Sequence, residues 1–460
     1  MHACRYGMSR RFGVALAALT LASCQSYEAQ PLDLSASRAD WHGRTLEDGS
    51  LRSLLQRLEL DVESAAGEFD PADGLSLEEG RLVALVFHPD LRIARLRAGL
   101  AQASSEHAGR WDDPEFSIDV LRITENVSKR WVVTPSLAFS LPISGRLAAE
   151  RALADANGRA ALQAVLEAEW AVVHEVGQAW TLWSAAQLRH AETERLLTAL
   201  EGPTQMAQRL AESGEVSRAM ASLFELYAAR ETNHLRGLQG DVLAAEAHLR
   251  AQLGLAPEAP IRFLPQLTVK GAEGTAAELG ERNPTLAVLR EQYDVSEEAL
   301  RHEIKKQYPD LTLGPLYESD AGQSRVGFLG GLPLPFLNAN KGAIAEARIE
   351  RELAGVALTS EYESLVGRWD AAVAQARGLA AQAADFDSVL APLADRQLED
   401  ALQLMRLGED TGLVLLESLQ TVHELKLERI ETRSAEALAR AQIQFLLGPS
   451  PSPGAENTPR

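Results

Sequence analysis

The sequence has few of the residues from which enzyme sites and disulfide-stabilised folds are built. Aromatic residues make up 5% of the 460 residues, and the two cysteines are Cys4 and Cys24. The chain contains no His-Glu-x-x-His, Gly-rich phosphate loop, Gly-x-Ser-x-Gly or Cys-x-x-Cys motif. With no convergent polar constellation, the sequence predicts a protein that is not an enzyme and that needs no cofactor or bound metal.

Basic clusters are also missing. The formal net charge is -20 at pH 7, which would repel phosphate backbones, so nucleic acid is excluded as a partner. What is abundant is apolar residues, 46% of the chain, with many alanines and leucines. This composition predicts a folded, mainly helical protein.

Long apolar runs end early in the chain. Arg5, Arg10 and Arg11 precede a short apolar stretch, residues 12–21, which is typical of a signal peptide and predicts that residues 1–23 are removed. The sequence Leu21-Ala22-Ser23-Cys24 resembles a lipobox, so Cys24 is the predicted lipidation site of an N-terminal extension, residues 24–74. Gln25 stands where an Asp would favour inner-membrane retention, so the outer membrane is favoured.

After residue 24 no run of about 18 uncharged apolar residues occurs, so no membrane-spanning helix is expected. Any crossing of a membrane by this part of the chain would need closed β-strands, because only helices and barrels satisfy every backbone group in lipid.

The sequence contains an internal repeat. Proline-centred motifs at residues 88–91 and 113–116 are 25 residues apart (114 - 89), and so are those at 283–286 and 308–311 (309 - 284). The offset between the two copies is 284 - 89 = 195 residues. We therefore expect a first structural repeat over 75–256, a linker over 257–274, a second repeat over 275–448 and a disordered tail over 449–460.

Each repeat is expected to contain two very long helices. The stretches 143–202, 204–256, 336–391 and 393–448 lack proline, which breaks helices, and a 60-residue helix would be roughly 90 Å long. A coiled-coil-like seam, interrupted by Glu169, is formed by Val165, Val172, Val176, Ala179, Trp183 and Ala186.

Between the helices, each repeat carries a predicted β-hairpin, at 115–141 and 310–334. Phe116, Ile118 and Val120 alternate with polar residues, so one face of the hairpin is apolar. Strands of about ten residues suit a bilayer when tilted, but four strands cannot close a barrel, which needs about eight. Several copies of the chain are therefore expected to contribute.

This order of elements resembles the TolC family of outer-membrane efflux proteins over nearly the whole mature chain. The exit of the second hairpin, residues 332–347, is similar to the subgroup that serves cation and heavy-metal resistance pumps. The resemblance implies a mainly α fold with a small β part, in which long antiparallel coiled-coil helices form an α-barrel and trimerisation completes a transmembrane β-barrel of four strands per chain.

The resemblance also implies a function and partners. The chain is expected to form an outer-membrane channel of a tripartite efflux system, lipid-anchored and extending into the periplasm. Its expected partners are two further copies of itself, a periplasmic membrane fusion (adaptor) protein, an inner-membrane efflux pump and outer-membrane lipid.

The turns between the long helices are the candidate periplasmic tip. The residues expected there, as gate or charge ring, are Arg209, Glu212, Gly214, Glu215, Arg406, Gly408, Glu409 and Asp410. The carboxylates, tripled by symmetry, would favour cations or pair with Arg209 and Arg406 to hold the tip closed. Solvated turn residues without a gating role remain an alternative.

A rival interpretation is a lipid-anchored periplasmic coiled-coil adaptor or scaffold protein. It accounts for the helices and Cys24 but leaves two amphipathic hairpins at matching positions unexplained.

Overall fold

The computed structural model describes residues 27–46, 49, 51, 53, 74–125, 130–267, 274–320, 323–407 and 412–450. By backbone contacts the chain divides into two compact units, residues 1–44 and 45–460. The described part of the first unit contains helix α1, Leu34–His42, whose N-terminus is capped by the Asp33 carboxylate, with Oδ1 accepting from Ser35 N at 2.8 Å. The predicted signal peptide and Cys24 lie outside the described residues.

The second unit is built of long helices and one small sheet. In order, its first elements are α2 (Leu77–Phe87), α3 (Pro89–His107), β1 (Glu115–Arg122), β2 (Trp131–Leu141), α4 (Arg146–Ser213) and α5 (Arg218–Gln252). After a 3-10 turn (Ala276–Glu278), the order repeats with α6 (Leu279–Arg282), α7 (Pro284–Lys305), β3 (Leu311–Asp320), β4 (Gln323–Gly331), α8 (Lys341–Asp385), a π-helical turn (Phe386–Leu390), α9 (Ala391–Leu407) and α10 (Leu413–Leu447).

The proline motifs begin the short helices. Pro89 and Pro284 occupy the first turns of α3 and α7, where the missing N–H has no intrahelical partner to lose. Asn283 caps α7 by accepting from Leu286 N at 3.0 Å, and its Nδ2 donates to Leu446 O at 2.8 Å. The motif therefore also ties α7 to the end of the last long helix.

Leu253-Gly254 and Leu447-Gly448, another pair of matching sequences in the two repeats, end α5 and α10 in the same manner. Gly254 has φ +70°, and a Cβ there would lie 2.2 Å from Phe87 O. Gly448 has φ +90°, and a Cβ would lie 2.2 Å from Arg282 O. Only glycine fits both the left-handed backbone and the close approach, so each long hairpin of helices closes against the short helix of its own repeat.

Two long helices depart from the simple rule that proline punctuates. α4 runs through Pro203 without a break, so its 68 residues span about 100 Å. In the second repeat, α8 is followed by the π-helical turn, which ends two residues before Pro392 of α9. Pro392 could not have donated to Ser388 O in a regular helix, and the wider turn resets the hydrogen-bond ladder there.

The predicted seam of α4 is confirmed for five of its six residues, and the sixth, Val165, is half-buried. Val172, Val176, Ala179, Trp183 and Ala186 are buried. Trp180, between them, donates from Nε1 to Leu264 O at 3.0 Å and meets Phe263 edge-on with ring centres 5.4 Å apart. The segment that follows α5 is thus packed against the first half of the chain.

The four strands form one antiparallel sheet in the order β1-β2-β3-β4. The hairpins share one register: Ile118 pairs with Pro135 and Leu313 with Gly330, and both partners are shifted by 195 residues (313 - 118 and 330 - 135). The central pairing, β2 with β3, joins the two repeats. The strands β1 and β4 are the free edges of this sheet within the described chain.

Candidate functional site

The first turn between long helices, which joins α4 to α5, lies at the predicted place in the sequence. α4 ends at Ser213, and Gly214 follows with φ +81°. Its N–H donates to Ala211 O at 3.3 Å, and Glu215 N donates to Leu210 O at 2.9 Å, which closes the helix end. Ser217 begins α5 by accepting at Oγ from Met220 N at 3.2 Å. A Cβ on Gly214 would meet nothing within 4 Å, so the left-handed backbone, and not lack of space, is the reason for glycine here.

The charged residues of this turn are exposed, and the hydrogen bonds given for them are local. Arg209 donates from Nε to Gln205 O of its own helix at 3.3 Å. Glu215 accepts from Ser213 Oγ at 3.1 Å. Within the described residues of one chain, no ion pair joins Arg209 to Glu212 or Glu215. These side chains are therefore free to meet solvent or another chain.

The residues on either side of the second turn, at the end of α9 and the start of α10, are described. Arg406, in the last turn of α9, is exposed, whereas Gly408, Glu409 and Asp410 lie outside the described residues. Gly412 has φ +91° and begins α10, and a Cβ on it would lie 3.3 Å from Phe224 Cε2 of α5. The start of α10 at Gly412 thus lies against α5, the helix that follows the first turn.

A hydrophobic cluster holds the two turns together. Phe224 is 0% exposed, and Leu200, Ala401, Met405 and Leu415 belong to the same cluster. These residues come from α4, α5, α9 and α10. The two helical hairpins are therefore locked together at the end that the sequence predicts as the tip.

Three buried polar side chains, Glu192, Glu231 and His423, follow this cluster along the helices and were not predicted. Glu192 of α4 pairs with Lys426 of α10, with Oε1 and Nζ 3.0 Å apart. Glu231 of α5 accepts from His234 Nδ1 at 3.3 Å and lies 3.9 Å from His423 Nε2. His423 is 5% exposed, and neither of its ring nitrogens has a hydrogen-bond partner among the described residues.

Burial lowers the pKa of His423, although the charges of Glu231 and Glu192 act to raise it. His423 lies four residues after Leu419 and seven after Leu416, on an apolar stripe of α10. A histidine on such a stripe is the signal that would have pointed to these buried polar side chains.

The sheet has two different faces. Residues paired across neighbouring strands point to the same side. One side carries the apolar pairs Phe116–Leu137, Ile118–Pro135, Val120–Val133, Phe139–Leu313, Pro315–Phe328 and Tyr317–Val326. The other carries Ser117–Ser136, Asp119–Thr134, Ser140–Thr312 and Glu318–Arg325. Its apolar exceptions are Leu121, Val132, Ala138, Leu316 and Leu329, and the polar exceptions on the first side include Ser319 and Ser324.

Hydrogen bonds and ion pairs occur on the polar face. Ser117 Oγ and Ser136 Oγ are 2.7 Å apart, and Arg325 pairs with Glu318 at 2.7 Å. On the apolar face, Phe116, Ile118 and Phe328 are exposed although they are large and apolar. A sheet with one such face needs an apolar surrounding on that side.

Among the described helices, none is both long and apolar enough to cross a membrane. Nowhere in the described residues do three or more His, Cys, Asp or Glu side chains stand where they could hold a metal ion.

The fold is that of solved outer-membrane channels. The chain matches OprN with a TM-score of 0.70 at 15% identity, covering 92% of this chain and 98% of that one. It matches CusC with a TM-score of 0.70 at 16% identity, covering 85% of this chain and 96% of that one. It matches the open state of MtrE from Neisseria gonorrhoeae with a TM-score of 0.68 at 15% identity, covering 84% of this chain and 94% of that one. These likenesses confirm the predicted fold class.

Residues 83–255 match the model of a family described as outer membrane efflux protein. This match covers the first repeat and agrees, as does the fold, with the resemblance that the sequence predicted. The matched model describes an efflux protein, which agrees with the prediction that the chain is not an enzyme. Comparison with curated protein sequences gave no match.

Proposed function

We propose that the chain is the outer-membrane subunit of a tripartite efflux system and passes solutes from the periplasm and an inner-membrane pump to the exterior. The family match covers the first repeat, and the two-faced sheet is the observation that carries the proposal. Its apolar face suits the hydrocarbon of a bilayer, and its polar face suits a water-filled passage.

The helices supply the periplasmic part. α4 alone is long enough to extend about 100 Å away from the sheet. The turn after α4 therefore lies far from the strands, at the end where an adaptor protein of the periplasm would dock. This geometry supports the role of the tip proposed from the sequence.

A homotrimer is supported by the open edges of the sheet. Four strands leave unpaired backbone groups on β1 and β4, which is not tolerated in lipid. Three copies give twelve strands, above the eight that the smallest membrane barrels need. The closed barrel would have no free edge.

The internal repeat indicates how the copies meet. Within one chain, α7 of the second repeat packs along α4 of the first, and Arg159 Nε of α4 lies 3.2 Å from Glu291 Oε2 of α7. Shifting this contact by 195 residues replaces Arg159 by Ala354 of α8 and Glu291 by Leu96 of α3. The charged pair within one chain is thus replaced by two apolar residues, Ala354 and Leu96, at the corresponding contact between two chains.

The surfaces concerned are open in a single chain. Leu96 and Leu100 of α3 are 70% and 73% exposed, and Ile349 and Leu353 of α8 are 65% and 67% exposed. A second copy, with its α8 on α3, would cover both surfaces at once. Three such head-to-tail contacts close a ring.

We further propose that the exposed charges of the turns act at the tip. Glu212 and Glu215, with Glu409 and Asp410 of the second turn, would form a carboxylate ring in the trimer. Arg209 and Arg406, whose side chains are exposed, would pair with acidic groups of a neighbouring copy or of the adaptor. The lipid on Cys24 would add a second hold on the membrane.

The deciding experiment is single-channel recording of the purified full-length protein in planar bilayers, with its oligomeric mass measured on the same sample. A trimer that gives small, cation-selective openings supports the channel and the acidic tip. A monomer or dimer that never conducts would leave the lipid-anchored scaffold as the better account.

A further inference from the structure

One arginine fastens both hairpins to the helices. Arg146, the first residue of α4, lies with Nε 2.9 Å from Asp310 Oδ2, just before β3. Its NH2 lies 2.8 Å from Asp112 Oδ2, just before β1. Burial disfavours charge on Arg146, but the hydrogen bonds and charges of Asp310 and Asp112 outweigh it and raise its pKa. The contact with Asp310 joins the first repeat to the second.

The repeat places a similar cation at the start of α8. Lys341 is shifted from Arg146 by 195 residues, and both begin a long helix after a residue in the left-handed conformation, Gly145 at φ +75° and Asn340 at φ +55°. Lys341 is exposed, and its side chain has no partner among the described residues. Lys341 therefore occupies the position that Arg146 has in the first repeat, but it lacks the ion pairs that Arg146 makes within the described residues.

The matching anion is Glu115. In each repeat the second proline motif is followed by an acid, Pro114-Glu115 and Pro309-Asp310, so Glu115 stands where Asp310 stands, 195 residues earlier. Glu115 is also exposed and has no side-chain partner among the described residues. Within the chain it begins the edge strand β1, at the side of the sheet opposite β4.

We infer that Lys341 binds Glu115 of the partner subunit, so that three such pairs between subunits alternate with three Arg146–Asp310 pairs within subunits around the junction of strands and helices. This inference rests on the proposed trimer. It follows from the pairing of β2 with β3, whose contact Ser136–Leu316 becomes, after the same shift, Gly331 facing Leu121 of the partner subunit.

The two clamps differ in a way that fits their partners. Arg146 lies 2.8 and 2.9 Å from two carboxylates, Asp112 and Asp310, which suits the forked guanidinium group, and Glu150 of its own helix lies 3.9 Å away. The residue that corresponds to Asp112 in the second repeat is Gln307, which is neutral. One carboxylate then remains for Lys341, and a lysine, as a single point charge, suits one carboxylate.

Cross-linking of the full-length protein in its membrane tests this contact. Lys341→Cys with Glu115→Cys is treated with a short bifunctional methanethiosulfonate, because side chains that form an ion pair stand too far apart for a direct disulfide. The described part of the chain has no native cysteine, so other thiols do not interfere there. We expect covalent dimers and trimers on a non-reducing gel.

Two matched pairs serve as controls. Arg146→Cys with Asp310→Cys should cross-link without a change in mass, since that contact is within one chain. Lys341→Cys with Asp119→Cys should give little product, because Asp119 lies four residues further along β1, about 13 Å away. Conducting trimers in which Asp119 cross-links and Glu115 does not would overturn the inference while leaving the channel intact. Absence of trimers would overturn both.

Charge reversal gives an independent measurement. Lys341→Glu and Glu115→Lys should each weaken the trimer, by about five-fold per contact in dissociation rate if one pair is worth about 1 kcal/mol. The two reversals combined should restore the resistance of the trimer to detergent. If the double variant is as weak as the sum of the single variants, the two residues do not form a pair.

Discussion

If the chain forms the proposed gated channel, replacing Phe224 by alanine is expected to loosen the proposed tip and to raise the time that the channel spends open. Phe224 is 0% exposed in the cluster that joins the two helical hairpins, and a Cβ on Gly412 would lie 3.3 Å from its ring. Removal of a buried phenylalanine side chain costs about 3–5 kcal/mol. The loss therefore falls where the two helical hairpins meet.

The part of this free-energy cost that destabilises only the closed state shifts the equilibrium between closed and open channels. If about 1.4 kcal/mol of it is lost from the closed form and not from the open form, the ratio of open to closed channels rises about tenfold. Open probability in planar bilayers measures this ratio, and thermal unfolding followed by circular dichroism measures the total loss. Phe224→Leu should give intermediate values in both measurements.

Leu226→Ala is the matched control, because Leu226 lies on the same helix and is 68% exposed. Its effects should be much smaller than those of Phe224→Ala. If Phe224→Ala lowers stability and leaves open probability unchanged, the cluster supports the fold and does not hold the gate. If Phe224→Ala and Leu226→Ala behave alike, the assignment of the cluster as the joint between the turns is wrong.

Further predictions concern the sheet, a helix end and pH. Ile118→Lys, on the apolar face, should reduce membrane insertion of the trimer by about 2–4 kcal/mol per chain, whereas Asp119→Lys, on the polar face, should insert normally; equal insertion would contradict the two faces. Gly254→Ala should lower the melting temperature, since its Cβ would lie 2.2 Å from Phe87 O, while Gly240→Ala, with open space inside α5, should raise stability by up to about 1 kcal/mol. Burial lowers the pKa of His174 from 6.5 to about 4, so its neutral form stabilises the fold above about pH 6.5 and this contribution, up to about 3 kcal/mol, is lost as the pH falls from 6.5 to 4. Urea midpoints at several pH values should show a smaller loss in His174→Gln than in the unchanged chain, and equal slopes would refute this account.

The sequence by itself determined the repeat and the kinds of element. Proline, left-handed glycine and alternating polarity act over a few residues, so Pro89, Pro284 and the alternation around Ile118 are readable without a fold. The seam of α4 was readable for the same reason, because helical periodicity places Val172, Val176 and Trp183 on one side.

Local rules were less reliable where neighbours intervene. Pro203 lies inside α4, since packing along a long helix outweighs the loss of one backbone hydrogen bond. Pro392, by contrast, follows a π-helical turn that no local pattern marked. The same residue type therefore has different consequences in the two repeats.

Only the tertiary structure decided which distant residues meet. Glu192, Glu231 and His423 come from three helices, and Arg146 reaches Asp310 across 164 residues. The order β1-β2-β3-β4, which leaves Glu115 and β4 on opposite edges, is likewise a property of the fold. Periodicity fixes the face on which a residue lies, but the partner of that face depends on how long helices and strands pack together, and this is a sum over contacts that no short stretch of sequence contains.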